Sequence, residues 1–227
     1  MAHTVTRVAP EGGTPSGGTP SGGTPSGGIP SQAAGAILAA AARLFAGRGY
    51  DSTSMREIAE AARVTKPTIY YYFKSKSGLF DALLESAASS LCGDLESING
   101  RDASSDAAKC LEDAVFAGFR FAREHSDLNR FIHGLVFSPP MRAERRAIEK
   151  AFSRVTAEFR KVLVRAADGG LVEKSRIPSA AVALRGSMLA HIVDYLHGSH
   201  ELTPRLAADI VNGLLHGYGS RRDESQR

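Results

Sequence analysis

An all-α fold is predicted by three observations. Apolar residues recur at spacings of three and four, capping signals mark where successive helices start, and no strand-like alternation of any length separates the helical segments. A length of 227 residues suits one small domain and one larger one, and a hydrophobic content of 43% is enough to build an ordinary core.

The first segment is the exception to helix. From Gly12 to Ser31 the unit Gly-Gly-Thr-Pro-Ser occurs three times, followed by Gly-Gly-Ile-Pro-Ser. Glycine supplies conformational freedom, proline blocks helix and sheet, and almost nothing is available to bury, so residues 1–31 are expected to be a disordered tail. With Arg7 as its one base, the tail is expected to add little to any affinity for an anion.

Residues 54–76 carry the most informative pattern. Ser54 and Glu57 have the spacing of a capping box, and Met55, Ile58, Ala59 and Ala62 then share one helical face. After Val64, Thr65 is placed to cap a second helix with Pro67 in its first turn, where a missing amide hydrogen costs nothing. Ile69 and Phe73 are four apart and point inward, leaving Lys66, Thr68, Tyr70, Tyr71 and Tyr72 to share the remaining surface. Two short helices joined by a tight turn, the second bearing a base, hydroxyls and aromatics, have the chemistry of a helix-turn-helix that enters DNA. Ser75 opens a longer helix with Leu79, Phe80, Leu83, Leu84, Ala87 and Leu91 at helical spacing.

The later helices follow in order. Asp106 to Glu124 turns Cys110, Val115, Phe116, Phe119 and Ala122 inward. Leu128 to Phe137 ends at Pro139-Pro140. Ala143 to Ala166 places Ile148, Phe152, Val155, Phe159, Val162 and Leu163 on one side, and Asp168-Gly169-Gly170 stops it. Pro178 and Pro204 open two final helices, about 179–197 and 204–218, that are apolar around too much of their circumference to face water.

Charge is localised. Residues 31–80 hold seven Lys or Arg against three acids, a net +4 that equals the net charge of the whole chain, so the remaining segments cancel. An excess confined to one small segment is the footprint of phosphate binding. No apolar run approaches the ~18 residues of a membrane span. The first ten residues lack the apolar stretch of a signal peptide, so a cytoplasmic protein is expected. Cys92 and Cys110 are too few for a zinc module or disulfide scaffold and read as buried small hydrophobes.

The run Ile37-Leu38-Ala39-Ala40-Ala41-Ala42-Arg43-Leu44-Phe45, with Gly49-Tyr50, Thr53-Ser54, Glu57-Ile58-Ala59, Val64 to Tyr70, Tyr72-Phe73 and Lys76 to Leu79, closely resembles the DNA-binding domain of the tetracycline-repressor (TetR/AcrR) family. The resemblance implies an N-terminal three-helix helix-turn-helix domain, residues 32–78, and a C-terminal helical ligand-binding and dimerisation domain, residues 79–219, before a polar tail at 220–227. It implies that Arg56, Lys66, Pro67, Thr68, Tyr70 and Tyr71 face base edges and adjacent phosphates, while Ser54, Thr65, Tyr72 and Lys76 hold the DNA backbone. Arg and Lys can pair with guanine acceptors, Thr and Pro meet thymine methyls, and Tyr hydroxyls suit phosphate oxygens. Arg63 stands where the family usually has glycine. Either Arg63 adopts a left-handed conformation, or the first helix of the motif ends differently and re-aims the second.

The resemblance further implies a homodimer through the last two helices, double-stranded operator DNA as partner, and release by a small lipophilic effector. Phe116, Phe119, Arg120, His133, Phe137, Met141 and Phe152 are the candidate lining of an effector cavity, although aromatics at this spacing also read as ordinary core. No cofactor or membrane partner is expected, and no metal ligand set is assigned. A metal-responsive or constitutive DNA-binding regulator is the alternative; His125 and His133, or His191, Asp194 and His197, are the residues that would assemble a metal or acid-base site, in a zinc-sensing regulator or an enzyme. A small helical enzyme is a weaker alternative, because the chain has no phosphate loop, nucleophile elbow or paired cysteine clusters.

Overall fold

A computed structural model describes residues 32–136 and 142–217, so the N-terminal repeats, the Pro139-Pro140 segment with Phe137 and Met141, and the C-terminal tail lie outside the described residues. Among the described residues the order is α1 (Gln32–Arg48), α2 (Met55–Ala61), α3 (Lys66–Phe73), α4 (Lys76–Asn99), α5 (Ala107–Glu124), α6 (Ser126–Val136), α7 (Arg142–Asp168), a short 3₁₀ turn (Lys174–Arg176), α8 (Ile177–Leu196) and α9 (Pro204–His216), with no strand. The all-α expectation holds.

The helices begin where local chemistry starts them. Ser54 Oγ accepts from the Glu57 amide at 3.2 Å while Glu57 Oε2 accepts from the Ser54 amide at 2.8 Å, completing the expected capping box of α2. Thr65, Ser75, Asp106 and Thr203 likewise accept from amides in the first turns of α3, α4, α5 and α9. At the α3–α4 junction a Cβ on Gly78 would run into the Phe73 carbonyl oxygen, so the two helices meet this closely only with glycine there.

Two apolar clusters form the interior. In one, Ile37 and Phe45 of α1, Ile58 of α2, Ile69 of α3 and Leu79, Phe80, Leu83 and Leu84 of α4 are buried together with Leu128 and Phe131 of α6. The rings of Phe45, Phe80 and Phe131 meet at centroid separations of 5.4 to 6.3 Å. The other cluster joins the far half of α4 (Leu91, Leu95, Ile98) to α5, α7, α8 and α9 through Leu111, Phe119, Leu163, Leu184 and Ile210. Helix α4 is therefore continuous through both, and α6 packs directly on α1. Cys92 and Cys110 are buried and free, as expected of small hydrophobes, and burial raises the Cys92 thiol above its ordinary pKa. No helix among the described residues is long and apolar enough to cross a membrane.

The expected inward face of α7 needs one correction. Val162 and Leu163 are fully buried, but Phe152 is 39% exposed. Where α7 crosses α4, Arg154 and Lys150 instead pair with Glu85, so this stretch is held by charge at its rim.

Candidate nucleic-acid interface

Helix α3 is eight residues long and buries one side chain completely, Ile69. That anchor decides which residues remain outside. Tyr71 is 75% exposed and Tyr70 41%, and Lys66 and Pro67 are exposed beside them at the start of the helix. Two adjacent exposed phenols beside a base make a contiguous patch, the kind of surface that marks a contact for a partner. Tyr72 is half-buried, its ring edge-on to Tyr71 at 5.3 Å, so it supports Tyr71 as well as reaching solvent.

The residues expected to grip the backbone are partly committed to the fold. Thr65 caps α3, and its hydroxyl lies 2.8 Å from that of Thr68, so the two hydroxyls are held as a pair. Ser54 is engaged with Glu57. Lys76 Nζ donates to the Asp51 carbonyl at 3.2 Å and lies 4.4 Å from the centre of the Tyr50 ring, fixing its charge over the α1–α2 loop. Arg56 is exposed, and its guanidinium pairs with Glu60 at 2.8 Å, the hydrogen bond raising its pKa; contact with an anion requires exchange of that partner. Arg48 pairs with Glu57 at 3.0 Å. The face is thus a mixture of restrained charges and, on α3, open aromatic and basic side chains.

Arg63 resolves the alternative left by the sequence. Its φ is +55°, the left-handed region, with the Arg63 amide donating to Glu60 O at 3.1 Å and the Val64 amide to Ala59 O at 3.0 Å. That is the pattern of a helix ended by glycine, reproduced by arginine at a cost of roughly 1 kcal/mol or somewhat more. The first helix of the motif therefore ends at the expected position, with Arg63 in the left-handed conformation.

The expected effector residues are dispersed. Of the five described, Phe119 is fully buried in the core, Phe116 is half-buried against it, and Arg120 is exposed in ion pairs with Asp94 and Glu124. Phe152 is at the surface. These four therefore lie in different surroundings, because helical spacing along α5 and α7 distributes them between core and exterior. Phe137 and Met141 lie outside the described residues. His133 differs: it is half-buried, both its ring nitrogens lack a hydrogen-bond partner among the described residues, and burial lowers its pKa. The described surface has an open cleft of about 550 Å³ between α4 and α7, lined by Asp81, Leu84, Glu85, Arg146 and Lys150 among others, and by none of the expected residues.

The other histidines are also rearranged. His125 ends α5 and stacks on Phe121, away from His133. His191 and Asp194 are joined by His200 in place of the expected His197, and burial, followed by the proximity of His200, lowers the His191 pKa. His200 was missed because only the fold of the α8–α9 turn returns it to α8.

Residues 37–83 match the family model described as bacterial regulatory proteins, tetR family. Among curated proteins, the chain is 50% identical over 60 residues to the HTH-type transcriptional regulator AcrR of Shigella flexneri, covering 26% of this chain and 27% of that one. It is 29% identical over 185 residues to the HTH-type transcriptional regulator YdgC of Bacillus subtilis, covering 80% and 90%. The match therefore spans about a quarter of the first relative and most of the second. Among solved structures, the transcriptional regulator FadR of Bacillus subtilis in complex with stearoyl-CoA superposes with a TM-score of 0.70 at 18% identity over 81% of this chain and 98% of that one. At that identity the likeness concerns the fold alone.

Proposed function

We propose that this chain, whose residues 37–83 match the tetR family of bacterial regulatory proteins, is a sequence-specific DNA-binding regulator, a repressor that binds a palindromic operator as a homodimer and is released by a small lipophilic effector. The observation that carries the reading is the outward face of α3: Lys66, Pro67, Tyr70 and Tyr71 exposed on a helix held from behind by the buried Ile69. Lys66 supplies a donor for guanine O6 or N7, Pro67, Thr68 and the Tyr71 ring supply apolar contact to thymine methyls, and the Tyr70 phenol reaches phosphate oxygens. Arg56, on α2, adds a guanidinium at the groove edge once it leaves Glu60.

The dimer is supported by α8 and α9. Helix α8 exposes Val182 to 61%, with Ala183, Gly186 and Ala190 also exposed, an apolar strip of small residues that allows close helix approach. A two-fold pair would set its reading heads about 34 to 36 Å apart, one turn of DNA. Effector release is supported by α4 running through both apolar clusters and by the unsatisfied His133 on α6, the helix that packs against α1. An effector that binds better to the conformer with misplaced reading heads lowers operator affinity by that differential. The Bacillus subtilis neighbour holds stearoyl-CoA, which makes long-chain acyl compounds the first effectors to try.

Footprinting of the promoter of the chain's own gene, with and without acyl-CoA, tests the reading. Protection of a two-fold symmetric site that fades with effector supports it. No protection at any protein concentration up to micromolar, or protection of one half-site alone, counts against the DNA-binding and dimer parts respectively.

A further inference from the structure

We propose that His191, Asp194 and His200 form a binding site for one borderline divalent transition-metal ion per chain, zinc foremost. Among the described residues they are the group of histidine, cysteine and carboxylate side chains whose ligand atoms converge, all lying within 4.8 Å of one another. His191 Nδ1 and His200 Nε2 are 3.2 Å apart. Two imidazole nitrogens bound tetrahedrally at zinc distances stand about 3.3 Å apart. The pair therefore already has the spacing of two ligands on one ion, and a carboxylate oxygen of Asp194 lies within 4.8 Å of both.

The fold builds this arrangement from both sides. His191 and Asp194 are three apart on α8 and share a face. Helix α8 then ends in a turn with Gly198 at φ +80°, in which the Ser199 amide donates to Asp194 O and the Gly198 amide to Tyr195 O, each at 2.9 Å. That turn reverses the chain and lays His200 back over His191, nine residues earlier. Two residues on, Leu202 is fully buried and Thr203 caps α9, so the returning segment is anchored. His197, three residues after Asp194, is exposed and occupied in ending the helix. A hydrogen bond between two histidines explains their contact by itself; it does not explain the carboxylate placed beside them at helical spacing.

The donor set selects the ion. Two imidazoles and one carboxylate suit zinc, cobalt or nickel, whereas calcium and magnesium take oxygen ligands. Three protein ligands leave a fourth position for water or another small ligand. The site lies outside the α3 surface, so its test stands apart from the DNA-binding reading.

Full-length protein stripped with chelator and titrated with zinc by calorimetry is expected to bind one ion per chain at micromolar concentration or tighter, and cobalt is expected to give the visible absorption of a low-coordinate nitrogen and oxygen site. His200→Ala, in the turn, and Asp194→Asn, at the surface, avoid the risk that His191→Ala disturbs α8, and each is expected to weaken zinc at least about tenfold with the helical circular dichroism unchanged. His197→Ala is expected to leave affinity alone. Absence of binding at several hundred micromolar zinc, or binding that survives both the His200 and Asp194 changes, overturns the proposal.

Discussion

Helices α3 and α5 are both rich in aromatics, yet they present them in opposite ways. Helix α3 buries Ile69 and leaves Tyr70 and Tyr71 in solvent, while α5 buries Phe119 completely and lets Phe116 and Phe121 close over the core, turning Lys109, Arg120, Arg123 and Glu124 outward. The difference lies in what each helix has around it. Eight residues of α3 meet the bundle along one line, so most of its circumference is free; eighteen residues of α5 are surrounded by α4, α7, α8 and α9. An aromatic on the first is a contact waiting for a partner, and on the second it is structural mass.

The sharpest way to break this contrast is at Phe119. Phe119→Ala is expected to destabilise by about 3 to 5 kcal/mol, the cost of truncating a fully buried phenylalanine, whereas Phe152→Ala, at the surface, is expected to cost no more than about 1 kcal/mol. Chemical denaturation of the two variants checks this. Similar small losses for both would mean that Phe119 borders a cavity after all and would restore it as an effector residue.

On α3 the expectation is reversed, with binding changing and stability not. Lys66→Ala and Tyr71→Ala are each expected to weaken the preferred operator by about 1 to 3 kcal/mol and to relax sequence preference, with unfolding free energy within about 0.5 kcal/mol of the parent. Lys76→Met should behave differently, lowering affinity for all DNA alike and reducing the salt slope by about one. Operator titrations at several salt concentrations separate the two behaviours. Equal loss on every sequence for all three variants would remove the base-reading role from α3.

This division also explains what was legible beforehand. The caps at Ser54, Thr65 and Ser75 depend on residues three apart, so the starts of α2, α3 and α4 could be read directly from the chain. The open phenols followed from the same local periodicity, since three consecutive tyrosines cannot share one buried stripe. The dispersal of Phe116, Phe119, Arg120 and Phe152, and the return of His200 to His191, depend on which helices pack together, and spacing within one helix carries no information about that. Arg63 lies between these cases. The sequence marked the position, but only the backbone angle chose between two ways of ending α2.

A smaller effect is expected at His133. Burial lowers its pKa in the folded state, so below the unfolded value, about 6.5, the unfolded chain takes up the proton first and stability declines as pH falls. His133→Gln should flatten that part of the stability profile between pH 7 and 5. If an effector supplies a hydrogen bond to this imidazole, ligand-bound protein should flatten it too. A profile unchanged by the substitution would place the acid sensitivity elsewhere and leave His133 as an ordinary half-buried side chain.

The least disruptive change is Arg63→Gly. Glycine relieves the left-handed strain, about 1 to 2 kcal/mol for a residue with a side chain, but loses more freedom on folding, about 0.5 to 1 kcal/mol, so a net stabilisation of up to about 1.5 kcal/mol is expected in denaturant titration. The substitution also removes one positive charge at the turn between α2 and α3. If Arg63 contacts a phosphate, the stabilised variant should bind all DNA more weakly and with a salt slope smaller by about one. If its side chain is free of DNA, affinity should be unchanged while stability rises. A loss of stability would show that the arginine side chain holds the turn by contacts that outweigh its backbone strain, and that α3 is aimed by the side chain at the turn as well as by the caps on either side.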